Sequence, residues 1–258
     1  MGRGRDTWTV GRKPVLELLE SPMVSQVEEA LISRRLKGGV RREMAELCTL
    51  NRIQLTEVDE ERLSSLAGDT RHQGVALRLR KLEAKDWYDL LDELRASVEA
   101  GELPSVVLLD QVQDPRNLGA IARSCAAFGV QAIVIPKDRS ADIGPAALKT
   151  SAGALHRLPF ARVTNLKRAM DDLQKIGFWS VGLALEGGEP ISNLDLDRPI
   201  AWIVGSEGNG IRPGTAKSCD FIGYIPITAG VESLNASVAA SIVLYERARF
   251  LSSQKQVD

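Results

Sequence analysis

The sequence predicts an α/β protein with two domains, a small N-terminal one and a larger C-terminal one built on a parallel sheet. From Ser105 onwards, short apolar segments alternate with helical segments, which is typical of parallel strands covered by helices on both faces. The first 80 residues show a separate pattern of helix, strand, helix and strand. At 258 residues the chain is long enough for both domains. We therefore assign residues 1–80 to an N-terminal domain, 81–104 to a linker with a helix, and 105–258 to the C-terminal domain.

The composition is that of an ordinary soluble globular protein, with 44% hydrophobic and 26% charged residues. No apolar run reaches the roughly 18 residues of a membrane-spanning helix, and the N-terminus lacks an apolar signal core. Three widely spaced cysteines rule out an obvious disulfide framework or zinc site and fit a reducing compartment. Two histidines are too few for a His-rich metal site. The sequence thus predicts a cytoplasmic protein with no membrane partner and no metal.

The N-terminal domain is predicted from hydrophobic spacing. Residues 9–20 read as a turn followed by a helix, because Pro14 suits a first helical turn and apolar residues recur after it. Further helices are expected over 41–50 and near 63–66, and strands over 23–32, 52–58 and 75–80.

Positive charge is concentrated in this first domain. Residues 1–82 hold 15 Lys and Arg against 12 Asp and Glu, whereas the remainder holds 18 against 22. The first third of the chain is therefore the better contact for a polyanion. The side chains expected to make that contact are Arg34, Arg35, Lys37, Arg41, Arg42, Arg71 and His72. For any single one of them, a solvated charged surface is an equally good interpretation.

The linker carries a helical stretch in which apolar residues stand among acidic ones, and Gly101 and Pro104 end it. Its apolar positions are Trp87, Leu90, Leu91 and Leu94. We expect this stripe to pack on a domain or on a partner subunit.

The C-terminal domain supplies the candidate site, since ligands of parallel sheets usually bind beyond the carboxyl ends of the strands. Strands are predicted over 105–110, 131–136, 177–185, 200–205 and 221–227, and helices near 117–128, 145–153 and 166–176. Three loops that follow these strands are unusually polar or rich in glycine.

The first loop and its helix span residues 110–129. Asn117 is predicted to cap the helix, and Gly129 to end it. The buried stripe is expected to comprise Leu118, Ile121 and Cys125. Arg123 lies roughly 200° around the helix from Cys125 and so points away from the core. It is either a solvated arginine or one aimed at a phosphate or an interface.

The second loop, residues 204–213, places three glycines after a strand, where backbone can approach a ligand closely. Its G-x-x-G-x-G spacing is neither the dinucleotide fingerprint nor the phosphate-binding loop. Glu207 within it is most simply a solvated carboxylate.

The third loop leads from a short strand at Ile225 into the C-terminal helix. Ser233, Leu234 and Asn235 stand at the join, and Ser and Asn are good helix caps. The bland interpretation is an ordinary capped helix, while the alternative is a polar pocket edge for an anionic or nucleotide-like ligand. Apolar residues at helical spacing predict a core-facing stripe, comprising Leu234, Val238, Ile242 and Tyr245. A further Ser-Ala-Gly turn, within 148–160, could line the same pocket.

Taken together, these stretches resemble the SpoU-type 2'-O-ribose RNA methyltransferases of the SPOUT superfamily. The motifs that carry the resemblance are DPRNLGAIAR, IVGSEGNGI and IPITAGVESLNASVAA, in the order and spacing of the family. VGRKPVLELL and RHQGVAL are similar to the start and end of the family's ribosomal-protein-like RNA-binding domain. VIPKDRSAD makes the resemblance strongest to the members that methylate a guanosine ribose in the peptidyl-transferase region of 23S rRNA.

The resemblance implies a fold and a cofactor. Members fold with a deep trefoil knot in the C-terminal domain, bind S-adenosylmethionine in the knot, and work as homodimers with the site at the subunit interface. By matching position, the residues expected to contact the cofactor are Gly205, Ile225, Leu234, Ile227, Ser206 and Gly153.

The resemblance also implies catalytic roles. Arg123 is the expected general base, although free arginine has a pKa above about 12, and holding the 3'-phosphate is the alternative role. Asn117 would orient Arg123 or the ribose, and Glu207 would pair with an arginine or bind substrate. Ser233 and Asn235 would bind substrate or cofactor and stabilise the knot loop. Two other functions stay open: methylation of a tRNA ribose, and non-catalytic RNA binding during ribosome assembly.

Overall fold

A computed structural model describes residues 7–68, 70–80, 82–185, 187–208, 210–228 and 232–254. The chain divides into two compact units, Met1–Leu82 and Glu83–Asp258. Parts of the glycine-rich second and third loops, residues 209 and 229–231, lie outside the described residues.

The first unit is a four-stranded sheet with helices on both faces. Its strand order is β1-β4-β2-β3, in which β2 and β3 are parallel and the other pairs are antiparallel. The strands are β1 (Thr7–Val10), β2 (Val27–Ser33), β3 (Leu55–Val58) and β4 (Val75–Leu79). The helices are α1 (Arg12–Leu19), α2 (Gly39–Leu50) and α3 (Glu60–Ala67).

Two small cores hold this unit together. On one face, Val15 and Leu19 of α1 and Met44 of α2 are buried against β2 and β4. On the other face, Leu63 of α3 packs with β1 and with Leu31. The expectation of a turn before α1 was wrong for residues 9–10. Strand β1 pairs there with β4, because its apolar side chains reach the core beneath α3.

The second unit is a seven-stranded sheet of order β7-β6-β5-β10-β8-β11-β9, in which every pair is parallel. The strands are β5 (Ser105–Asp110), β6 (Ala132–Pro136), β7 (Phe160–Val163), β8 (Trp179–Leu183), β9 (Glu189–Pro190), β10 (Ile200–Gly205) and β11 (Phe221–Tyr224). The α/β class and the parallel sheet are thus confirmed. Strands β7 and β9 were not predicted, because each is too short to show a periodic pattern.

Helices cover this sheet. They are α4 (Trp87–Glu99), α5 (Pro115–Ala127), α6 (Pro145–Ser151), α7 (Leu166–Lys175), α8 (Pro213–Ala216) and α9 (Ala236–Gln254). Helix α4, expected in the linker, belongs to the second unit, since Leu90, Leu91 and Leu94 are buried in its core. The stripe therefore packs on a domain, one of the two alternatives expected.

Helix α9 lies differently from the prediction. Val238, Ile242 and Tyr245, expected in the core, are exposed by 45%, 39% and 54%. The buried side chains are instead Ala236, Ala240, Val243, Leu244 and Arg247. The helix is apolar on two faces, so spacing alone could not tell which face meets the core.

Candidate active site

Two clefts meet at the carboxyl ends of the parallel strands. The first lies beside the ends of β8, β10 and β11. Its wall includes Gly205, Ser206, Ile225, Ile227, Ser233 and Leu234, which come from the second and third loops. The structure thus brings together five of the six residues predicted to contact the cofactor, whereas Gly153 does not line this cleft.

Gly205 shapes the floor of the first cleft. A Cβ at this position would lie 2.0 Å from the carbonyl carbon of Gly210, so only glycine fits. The loop folds back on the strand because the backbones of Ser206 and Gly210 exchange two hydrogen bonds of 3.0 Å. The close approach seen here is between two parts of the loop's own backbone, and the approach of this backbone to a ligand stays a prediction.

The second cleft is lined mainly by polar residues. It is lined by Gln111, Val112, Gln113, Asp114, Asn117, Ser206 and Glu207. Ser206 belongs to both clefts, so the two are neighbours separated by the loop after β10. A ligand in one would lie next to a ligand in the other.

A hydrogen-bonded cluster joins the three predicted motifs at this boundary. The amide of Asn117 donates to Glu207 Oε2 at 3.3 Å, and the amide of Asn235 donates to the same oxygen at 3.2 Å. Asn235 also donates to Asn117 Oδ1 at 3.0 Å. Among the described residues, only Oε2 of Glu207 accepts a hydrogen bond, so Oε1 can accept one from a ligand.

The helix caps explain how two of these side chains are placed. Asn235 caps α9, since its Oδ1 accepts from the backbone N–H of Ser237 at 2.9 Å. The prediction that Asn117 caps α5 was wrong. Asp114 caps that helix by accepting from the backbone N–H of Arg116 at 2.7 Å, which frees Asn117 to face Glu207.

A charged pair that the sequence did not suggest supports the same edge. Asp110, fully buried at the end of β5, accepts from Arg212 Nε at 2.6 Å and from its backbone N–H at 2.9 Å. The pair ties the first loop to the second. One feature of the sequence could have indicated this pair: a carboxylate, Asp110, ends an otherwise apolar strand. A buried carboxylate is costly without a partner.

Arg123 is exposed, as predicted, and lines none of the clefts described. One side of α5 packs against α6 so closely that a Cβ on Gly119 would lie 2.4 Å from Ala147 O. On the other side, Ser124 Oγ and Ser241 Oγ of α9 are 2.6 Å apart. Arg123 therefore projects outward between the two neighbouring helices. The stripe of Leu118, Ile121 and Cys125 is fully buried, as predicted.

The predicted RNA-binding cations of the first unit fall into two groups. Some are engaged within the chain: Arg34 pairs with Asp59 at 3.3 Å, Arg41 pairs with Glu57, and His72 lies 3.6 Å from Glu60. The exposed Arg35, Arg42 and Arg71 make no ion pair and no side-chain hydrogen bond with a described residue.

Burial disfavours the thiolate form of all three cysteines, so none of them is a candidate catalytic nucleophile at neutral pH. Burial raises the pKa of Cys48 to about 11. Burial, with smaller contributions from Asp220 and Asp110, raises that of Cys219 to about 12. Burial also raises the pKa of Cys125. Among the described residues, no group of three or more His, Cys, Asp or Glu side chains could hold a metal ion. Within the same ranges, no helix has the length and apolar character needed to cross a membrane.

Comparison with known families matches both units. Residues 104–245 match the SpoU rRNA Methylase family, and residues 8–85 match the family described as RNA 2'-O ribose methyltransferase substrate binding. A 23S rRNA (guanosine-2'-O-)-methyltransferase RlmB from Xanthomonas campestris is 41% identical over 95% of this chain and 97% of its own. RlmB from Coxiella burnetii is 41% identical over 85% of this chain and 84% of its own.

Solved structures agree in fold. The SpoU methyltransferase AviRb from Streptomyces viridochromogenes, in complex with AdoMet, has a TM-score of 0.66 and 22% identity, covering 96% of this chain and 91% of that one. An AdoMet-bound rRNA methyltransferase from Sinorhizobium meliloti has a TM-score of 0.64 and 22% identity, covering 96% and 88%. These matches confirm the resemblance drawn from the motifs, and the chain belongs to the SpoU rRNA methylase family.

Proposed function

We propose that this protein transfers a methyl group from S-adenosylmethionine to the 2'-oxygen of a guanosine ribose in the peptidyl-transferase region of 23S rRNA, in the cytoplasm. The observation that carries the proposal is the pair of adjoining clefts, one walled by apolar residues and backbone, the other polar, with Asn117, Glu207 and Asn235 bonded together at their boundary. The RlmB relatives, named for this reaction on 23S rRNA, support the choice of substrate.

The first cleft fits the cofactor. Apolar side chains such as Ile225 and Leu234 suit the faces of an adenine ring, and the glycine-rich loop lets backbone groups reach its polar edge. Gly205, Ser206, Ile225, Ile227 and Leu234 would hold it. When bound, S-adenosylmethionine supplies a methyl group on a positively charged sulfur, which is electrophilic enough to need no metal.

The second cleft would hold the target ribose. The residues of this cleft would orient the ribose 2'-hydroxyl toward the methyl group. Methyl transfer would release S-adenosylhomocysteine, and the hydroxyl proton would pass to Arg123 or to the RNA 3'-phosphate that Arg123 holds. Glu207 is fixed by two amide donors, and its other carboxylate oxygen, which has no partner among the described residues, would bind a ribose hydroxyl or a guanidinium. Asn117 and Asn235 position this carboxylate, and Ser233 stands at the cofactor side of the boundary.

Arg123 enters this scheme through a second copy of the chain. It projects outward from α5 and lines neither cleft of its own subunit. The neighbouring helix α9 exposes an apolar face of Val238, Ile242 and Tyr245, which a homodimer would cover. In such a dimer, Arg123 reaches the partner's site, where it holds the 3'-phosphate or helps remove the hydroxyl proton.

The knot is part of the proposal too. Strand β10 lies between β5 and β8, and β11 lies on the far side of β8. From β11 the chain has to return across the sheet to reach α5. Asn235, at the end of that path, bonds to both Asn117 and Glu207. These contacts of the third loop with the first and second motifs support the trefoil knot that the family resemblance implies.

In the first unit, Arg35, Arg42 and Arg71 are the cations best placed to bind RNA, since they have no partner among the described residues. Arg34, Arg41 and His72 would hold the surface in shape through their acidic partners. The match to the substrate-binding family over residues 8–85 supports this role.

The test is transfer of tritium from labelled S-adenosylmethionine to RNA from cells lacking this gene, followed by mapping of the labelled ribose. We expect label at one guanosine 2'-oxygen of 23S rRNA. Label confined to tRNA would overturn the substrate. No label in free rRNA or in ribosomal precursors, with RNA binding retained, would instead favour a non-catalytic assembly protein.

A further inference from the structure

A third cleft opens at the same edge of the sheet, at the carboxyl ends of β5, β6 and β7. Its cavity volume is about 710 Å³, more than twice that of either cleft in the candidate active site. Among the stretches that carry the family resemblance, VIPKDRSAD contributes Pro136, Asp138 and Arg139, while Gln111 and Arg212 lie at the margins of the first and second motifs. Nothing in the proposed chemistry accounts for it.

The lining of this third cleft is cationic. Three of its side chains carry positive charge, Arg139, Lys167 and Arg212, against one carboxylate, Asp138. Arg139 and Lys167 are exposed and form no ion pair or side-chain hydrogen bond with any described residue. Arg212 is fixed through its Nε to the buried Asp110, which leaves its two Nη groups without a partner within the described ranges. These groups can all donate to an anion.

The third cleft continues the second one. Gln111 lines both, so a chain-like ligand could pass from the ribose cleft beside Asn117 and Glu207 into the cationic cleft. Gln111 and Arg139 also have φ values of 63° and 52°, which side chains other than glycine rarely adopt. The loop after β6 is held there because Ala141 donates its backbone N–H to Val112 O at 2.8 Å.

The side chains that line the third cleft indicate which part of an RNA strand it would bind. No aromatic ring lines the described part of the cleft, so it lacks the aromatic platform on which successive bases stack. Arginine and lysine side chains converging on an open groove suit phosphodiester groups.

We infer that this cationic cleft binds the sugar–phosphate backbone of the RNA strand flanking the target nucleotide, with Arg139 and Lys167 contacting phosphates. The inference rests on the proposed function for the identity of the RNA. It assigns to the catalytic unit an RNA contact of its own, additional to that of the first unit.

The experiment compares R139A/K167A with R95A/K175A, which removes the same charge from surface residues paired with Asp92 and Asp172. Binding to a fluorescent 23S rRNA fragment is measured across a salt series, beside cofactor binding by calorimetry and steady-state methyl transfer. We expect R139A/K167A to bind RNA about tenfold more weakly and to flatten the logarithmic salt dependence by roughly one to two units. KM for RNA should rise, with kcat and cofactor affinity kept.

Several outcomes would overturn the inference. One is an affinity and salt dependence for R139A/K167A equal to those of R95A/K175A. Binding of inorganic pyrophosphate is measured as a second probe. If R139A/K167A loses pyrophosphate binding while its RNA affinity is unchanged, the cleft is a site for a small free anion. Loss of cofactor binding by R139A/K167A would show that the substitutions disturb the fold of the catalytic unit, and this outcome would also count against the inference. Failure of the wild-type chain to methylate either free rRNA or ribosomal precursors would overturn the proposed function instead, since the RNA affinities test the cleft on their own.

Discussion

Asn235 donates a side-chain hydrogen bond to Asn117 across 3.0 Å, although the two residues stand 118 positions apart. Both also donate to the same oxygen of Glu207, so the three loops of the second unit share one small network. Because Asn235 caps α9 as well, the start of that helix and the geometry of the cluster depend on each other.

Replacing Asn235 with alanine should therefore affect stability and activity together. Loss of the cap should lower the free energy of unfolding by about 1 kcal/mol. Loss of two bonds should leave Glu207 mobile and lower methyl transfer by at least about tenfold. The matched control is Asp86→Ala, which removes a cap from α4 and leaves the cluster intact. Chemical denaturation gives the free energy of unfolding of both variants, and methyl-transfer assays give their activity. Equal activity of the two variants would count against a positioning role for Asn235.

Arg123→Ala and Glu207→Gln should each abolish methyl transfer while S-adenosylmethionine still binds, since neither residue is part of the first cleft. If each site takes Arg123 from one subunit and Glu207 from the other, mixing the two inactive variants should restore activity. Random exchange of subunits predicts about a quarter of the wild-type rate. Mixtures that stay inactive, despite exchange shown by mass spectrometry, would place both residues in one subunit or outside the site.

Ile242→Glu tests the exposed face of α9. A carboxylate at the centre of the proposed interface should turn the dimer into a monomer and abolish methyl transfer. Leu50→Glu, at a residue exposed by 78% in the first unit, is the control and should change neither property. Sedimentation velocity gives the mass, and a wild-type chain that sediments as a monomer would remove the basis of the interface.

Gly119→Ala should destabilise the second unit by about 1–3 kcal/mol, because the added methyl group would lie 2.4 Å from Ala147 O and force α5 and α6 apart. The control is Gly144→Ala, where an added Cβ meets no atom within 4 Å. Thermal unfolding of both variants is the measurement. A melting temperature for Gly119→Ala equal to that of the control would show that the helices separate without cost.

Stability should fall in acid through Asp220. Burial by itself raises the pKa of this carboxyl, but hydrogen bonds from Ser180 and Gln174 outweigh it and lower the pKa below its ordinary value. The folded state therefore binds the proton less tightly than the unfolded state. The stabilisation is present above about pH 4 and is lost as the pH falls through the lowered pKa.

Asp220→Asn should consequently be less stable than wild type at neutral pH, with the difference shrinking as the pH falls. Denaturation curves between neutral and acidic pH give this difference directly. A gap that stays constant across the series would mean that the charge of Asp220 contributes nothing.

Much of the second unit could be predicted because its strands are buried and apolar, and its loops carry distinctive motifs. Strands β5 and β10 match their predicted ranges, and the face of α5 that enters the core was predicted correctly. The clustering of Asn117, Glu207 and Asn235 could be expected from the family resemblance, but their mutual hydrogen bonds could not.

The misses have physical causes. The buried face of α9 was chosen wrongly because two apolar stripes compete for the core. The pair of Asp110 and Arg212 joins positions 102 residues apart, so no local pattern reports it. Asn117 was taken for a cap because Asn favours that position, yet Asp114 stands one turn earlier and fills it.

The position of β10 has a consequence for synthesis on the ribosome. Without it, the sheet consists of two disconnected pieces, β7-β6-β5 and β8-β11-β9, and β10 supplies the hydrogen bonds to both β5 and β8. As the polypeptide emerges, the first piece can form early, but it exposes one unpaired edge until residues 200–205 have been translated. Nascent chains of this protein should therefore depend on chaperones during that interval, and closure of the sheet should be the slow step of folding.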